Sequence, residues 1–208
     1  MTYHDFALGL GWLAVSLGVP GTVSQWQRIR TQGIEGVSVA TWLLFVWMSY
    51  FWISYGFVAH SAQVTWGSLI VVPMQMAILY RLAPWKHRRT SLLATLFFFV
   101  MAVLPTAIFG WQAGVYCMTI VMIANRVPQI LELLRQPDAS GVSAGSWLIG
   151  VLGTWFWILY YQNVHLWSAL IATAGVSLAN IVVFALVVWR HRQMKYDLIA
   201  EEVFISNS

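Results

Sequence analysis

Two amides and two indoles stand out as groups able to hold a polar solute. Gln75 and Asn180 lie inside long apolar stretches. An amide without partners is costly in hydrocarbon, so each must face protein or water. Seven residues before them, on the same helical face, stand Ser68 and Thr173. Such a stripe can exchange hydrogen bonds with the hydroxyls of a solute, or it can bond helix to helix. Trp52 and Trp157 add a second chemistry. An indole face stacks on the C–H face of a sugar ring or holds a cation; the competing role is a belt at headgroup level. All three pairs share one separation of 105 residues (180 − 75, for example).

Chemistry of other kinds lacks its residues. The five histidines, at 4, 60, 87, 165 and 191, fall in loops or at helix ends. No Asp or Glu lies in the middle of an apolar stretch, and Cys117 stands alone. Metal hydrolysis and acyl transfer are therefore not expected, and neither a catalytic residue, a metal site nor a cofactor is expected. A chain of intramembrane acids, which proton-coupled carriers use, is missing too. That favours passive, facilitated movement of a solute over proton-coupled carriage, and no enzymatic activity is expected.

The elements that must position these groups are membrane helices. The chain of 208 residues is 60% hydrophobic and 9% charged, against about 25% charged residues in ordinary soluble domains. Thirteen tryptophans suit a protein with two membrane interfaces. A spanning helix needs about 20 apolar residues. Seven such spans are read, over residues 6–25, 37–58, 63–80, 91–109, 112–134, 142–161 and 166–189. The third is short and contains Pro73, which predicts a bend. No basic cluster precedes the first span, so it reads as a retained helix rather than a cleaved signal.

The charges sort by loop. Arg28 and Arg30, then Arg81, Lys86, Arg88 and Arg89, then Arg135, then Arg190, Arg192 and Lys195 occupy alternate connections. The loops near residues 60, 111 and 163 hold no Lys or Arg. The positive-inside rule puts the N-terminus outside and the C-terminus in the cytoplasm. This placement accounts for the net charge of +4 without a nucleic-acid partner; the bilayer is the partner the charges fit. Arg126 is the one basic residue left inside a span. The reading adopted is an interfacial arginine that snorkels to the basic side, near Glu132 or a loop carbonyl; placed deeper, it would attract an anionic group.

The 105-residue offset runs further. Gly36-Val37-Ser38, Trp42, Phe51-Trp52 and Tyr55 reappear as Gly141-Val142-Ser143, Trp147, Phe156-Trp157 and Tyr160. Val23-Ser24-Gln25 faces Val127-Pro128-Gln129 at an offset of 104. Seven spans with a repeat of three predict a 3+1+3 plan. Residues 1–82 form the first three-helix repeat, 83–110 a linker helix, 111–192 the second repeat and 193–208 a cytoplasmic tail. The odd linker lets both repeats enter the membrane in the same direction, as parallel repeats.

Asn125-Arg126-Val127-Pro128-Gln129-Ile130 followed by Gly141-Val142-Ser143 resembles the motif of the Pro-Gln-loop (PQ-loop) superfamily. Phe51-Trp52-Ile53-Ser54-Tyr55-Gly56 resembles the Trp-x-x-Tyr-Gly signature of SWEET sugar carriers. The resemblance covers nearly the whole chain. It implies an all-α polytopic membrane protein of two parallel three-helix bundles, of bacterial seven-helix type, in the plasma membrane. It also implies alternating access about a central pocket, with Trp52, Trp157, Asn180, Gln75, Ser68 and Thr173 facing the solute. Ser24, Gln25, Pro128 and Gln129 match the motif's hinge and gate positions in the first and fifth spans. The expected activity is facilitative transport of a small neutral polar solute, a sugar favoured. A PQ-loop amino-acid carrier, with or without a proton, and a non-transporting receptor of the same fold are the alternatives. A homo-oligomer is open.

Overall fold

The computed structural model describes residues 3–32, 34, 37–135, 142 and 144–206. Gly36, Gly141 and Ser143 of the repeated motif, and the side chain of Pro128, lie outside the described set. Among the described residues all regular structure is helical. Ten α-helices follow in chain order: α1 (Tyr3–Gln32), α2 (Val39–Val58), α3 (Ala62–Leu69), α4 (Val72–Arg81), α5 (Arg88–Phe98), α6 (Leu104–Phe109), α7 (Trp111–Ala124), α8 (Val127–Arg135), α9 (Ala144–Asn163) and α10 (Trp167–Ser206).

These helices form seven apolar segments. α3 and α4 are the third span, broken at Ile70–Val71 just ahead of Pro73. The break matches the bend expected there, because proline has no N–H to give and fits the first turn of a helix. α5 and α6 join through a π-helical turn, Phe99–Val103, next to Pro105. α7 and α8 are the fifth span, broken by a turn at Asn125–Arg126. Pro128 cannot donate to the carbonyl four residues back, so the break falls where the ladder loses that bond.

Among the described residues, six helical segments are long and apolar enough to cross a membrane. α9, the sixth span of the sequence reading, falls outside that group although it is 20 residues long. It carries glycines at 145, 150 and 153 and ends on Gln162-Asn163, where α2, equally rich in tryptophan and tyrosine, has Gly56 as its lone glycine and ends on Phe57-Val58. Two ends differ from the sequence expectation. α1 runs on to Gln32 and α10 to Ser206, so the basic residues that close the apolar spans do not end the helices.

The duplication is visible in the backbone. His60 and His165, 105 residues apart, both adopt left-handed φ, at 51° and 58°. In one turn Ser61 N–H reaches Gly56 O at 2.9 Å; in the other Leu166 N–H reaches Tyr161 O at 3.0 Å. These two turns close the loops without Lys or Arg, here termed the non-basic end.

Packing repeats as well. α3 and α4 pack on both α1 and α2, while α10 packs on α7, α8 and α9. α1 also lies along α9 in an extensive contact, bringing the N-terminal and C-terminal parts together. Gly11 makes that approach possible: a Cβ there would sit 2.6 Å from Gln63 Cγ and 2.9 Å from the Tyr160 ring.

The apolar core is not uniform along the helices. One cluster contains Leu10, Phe51, Tyr55, Val64, Val115, Tyr160, Tyr161 and Ala172, drawn from both halves of the chain. Toward the basic end the core divides. Ile29, Trp42, Val46 and Ile78 form one cluster in the N-terminal half. Leu133, Val183 and Val187 form another in the C-terminal half.

Candidate functional site

Trp52 and Trp157 do not stand at equivalent contacts. Trp52 is partly buried on the shared core and meets Phe51 and Tyr55 edge-on, with centroids 5.9 and 5.6 Å away. Trp157 stacks on Tyr161 at 5.3 Å and 20°. It also crosses to the other half, lying over Gly67 of α3: a Cβ at Gly67 would be 3.0 Å from the Trp157 ring and 3.2 Å from Val15. Ser68, the next residue of α3, is partly buried. Thr173 is buried on α10.

The two amides have different partners. The Ser49 hydroxyl donates to Gln75 Oε1 at 2.8 Å, and both residues are buried. This bond ties α2 to α4 within the N-terminal half. Asn180 is buried on α10, and its Oδ1 accepts from Arg126 Nε at 3.2 Å. Arg126 Nη1 also donates to Met122 O at 2.7 Å. The backbone of α9 comes close from the third side, since a Cβ at Gly150 would be 4.0 Å from Asn180 Nδ2. Nearby on α9 and α10, Thr154 donates to Ser177 Oγ at 3.1 Å.

Arg126 therefore sits deeper than its sequence position suggests. Asn180 is 13 residues from the start of α10 at Trp167, about 20 Å along the axis, and 10 residues, about 15 Å, before Arg190. A guanidinium bonded to Asn180 is thus near mid-span rather than at the basic surface. Asn125, in the same broken turn, is buried, and neither its Oδ1 nor its Nδ2 has a partner among the described residues.

At the non-basic end two tyrosines bridge the halves. Tyr160 of α9 donates to Gln63 Oε1 of α3 at 3.0 Å and shares a second bond with Ser61 Oγ at 2.8 Å. Tyr55 of α2 lies 3.4 Å from Ser168 Oγ of α10. Tyr55 and Tyr160 are repeat mates, and so are Gln63 and Ser168, each pair 105 residues apart. The same contact is made twice, once in each direction. From the sequence, Tyr55 and Tyr160, one turn beyond Trp52 and Trp157, are expected to face the outer interface, and Gln63 and Ser168 have no expected role; the structure instead buries all four. Their common offset was the signal available.

The hinge positions diverge. α1 is continuous through Pro20, Ser24 and Gln25, with Ser24 exposed and Gln25 partly buried. On the other side the helix breaks at Asn125–Arg126, immediately before Pro128 and the partly buried Gln129. Among the described residues no group of His, Cys, Asp and Glu is placed to hold a metal ion. Comparison with protein-family models, with curated proteins and with solved structures found no match to this chain.

Proposed function

We propose that this chain is a facilitative, alternating-access transporter of a small hydroxylated solute, built on the 3+1+3 plan of the PQ-loop and SWEET carriers. Residues 1–82 and 111–192 are the two moving halves, and residues 83–110 link them. The basic end faces the cytoplasm of a plasma membrane, with the N-terminus outside.

The observation that carries this reading is the uneven join between the halves. At the non-basic end they share one apolar core and the reciprocal bridges Tyr160–Gln63 and Tyr55–Ser168. At the basic end each half keeps its own core. Two halves that share a core at one end and keep separate cores at the other suit a carrier closed to one side. Bridges of hydroxyl and amide groups, worth about 0.6 kcal/mol each on average between membrane helices, can break and re-form as the halves rock.

The solute site lies between those ends. Trp157 reaches the N-terminal half at Gly67, and Asn180 and Thr173 are buried on the neighbouring α10. Gln75 is bonded within its own half by Ser49, which favours a packing role for it over solute contact. The test is counterflow in proteoliposomes with labelled glucose, sucrose and amino acids, with and without a pH gradient. Exchange that ignores the gradient and falls in Trp157→Ala and Asn180→Ala supports the proposal. Exchange indifferent to both substitutions refutes the site.

A further inference from the structure

The sequence reading favours a neutral solute and places Arg126 at the membrane surface. The structure puts that guanidinium on Asn180, near mid-span. From this we infer that the solute carries one carboxylate, held by Arg126 with Asn180: a hydroxylated monocarboxylate such as a sugar acid. The inference rests on the transport reading above and names its substrate class.

The charge balance leads to this class. Arg126 has two recorded bonds, to Asn180 Oδ1 and Met122 O, both to neutral oxygens. A guanidinium has five N–H donors. Among the described residues the fully enclosed side-chain atoms without a partner are those of Asn125; Arg126 Nη2, which has no bond, is not one of them. Facing hydrocarbon, a charged arginine costs at least about 2.5–3.5 kcal/mol at mid-span. Glu132, the acidic residue of α8, is six positions further toward the basic end, about 9 Å along the axis.

One unneutralised cation in a low-dielectric site selects a single negative charge. A neutral sugar leaves the guanidinium uncompensated, and a phosphate dianion leaves an excess negative charge. A zwitterion adds an ammonium group for which the described spans offer no mid-span carboxylate.

One further feature favours an anion. The Asn125 amide in the same turn is buried and unpartnered, a cost of about 1–3 kcal/mol for a buried polar group that a solute or a rearranged turn could relieve. The second half alone carries this device: Gly21-Thr22 stands where the repeat has Asn125-Arg126.

The test uses the full chain in proteoliposomes and compares counterflow of glucose, gluconate, alanine and inorganic phosphate. Gluconate exchange is expected to exceed that of the others. Arg126→Gln should lower it by about tenfold or more, the scale of a charged hydrogen bond, and Arg126→Lys should retain part of it. In detergent, gluconate should raise the Tm of the wild-type protein but not of Arg126→Gln. Exchange of glucose without gluconate overturns the carboxylate and leaves transport standing. Preference for phosphate or alanine overturns it equally. If nothing exchanges while gluconate still stabilises the wild type alone, the anion site stands and the transport reading fails. If neither exchange nor stabilisation occurs, both fall.

Discussion

The two tyrosine bridges are unequal, and that inequality fixes the outcome of one experiment. Tyr160 holds Gln63 at 3.0 Å and Ser61 at 2.8 Å, all three residues being buried. Tyr160→Phe removes both bonds while keeping the ring against Tyr161 and Trp157. Ser61 Oγ keeps its bond from Val64 N–H at 3.2 Å, but Gln63 Oε1 loses its donor. A buried acceptor left without a donor costs about 1–3 kcal/mol, and interhelical bonds in membranes average about 0.6. The closed non-basic end should weaken by about 1–2 kcal/mol, a factor of about 5–30 in the closed-to-open ratio. Tyr55→Phe removes one bond of 3.4 Å, so its effect should stay under about threefold. The assay is the distance between spin labels at positions 60 and 165, on exposed turn residues of the two halves, in a background where Cys117, the lone cysteine, is replaced. Tyr160→Phe should add a longer distance to the distribution, and Tyr55→Phe should add less. Equal effects, or an unchanged distribution in Tyr160→Phe, refute the reasoning.

Two further substitutions probe packing. Gly67→Ala places a Cβ 3.0 Å from the Trp157 ring and 3.2 Å from Val15, and overpacking of this kind costs about 1–3 kcal/mol. It should lower the Tm in detergent, whereas Gly18→Ala, with nothing within 4 Å, should not. Ser49→Ala leaves Gln75 Oε1 without its donor and should cost about 1 kcal/mol. A fall in Tm with KM for the exchanged solute unaltered fits the packing role of Gln75; a raised KM at constant Tm refutes it.

The helical architecture was legible because a membrane helix declares itself through length and apolarity, and Pro73 announced its own break. Proline signals worked only where the chain obeyed them. Pro128 marks a break at Asn125–Arg126, but α1 runs through Pro20 without one. What lay beyond sequence reading was lateral. Counting residues from a helix end gives depth along one axis and says nothing of the neighbouring helix. Arg126 counts as near-surface on its own span, yet its side chain meets Asn180, 54 residues away on another helix. Gln63 and Ser168 are polar residues at the edge of an apolar stretch, the place where polar residues need no explanation. Only when two halves fold against each other do they become partners for Tyr160 and Tyr55.

The repeat and its departures from symmetry divide the labour between the halves. Where the copies agree, at Tyr55/Tyr160 and the turns of His60 and His165, they build the join at the non-basic end. That join needs symmetry, because each half must meet the other with the same surface. Where they differ, the amides take different work. Gln75 is satisfied inside its half by a neutral hydroxyl from Ser49, and the bond holds α2 to α4. Asn180 is satisfied by a charged donor that has bonds to spare. A solute anion can compete for Arg126 without unmaking the bundle, because the Thr154–Ser177 bond holds α9 to α10 independently. On the proposed reading, one half supplies a packed wall and the other the exchangeable charge.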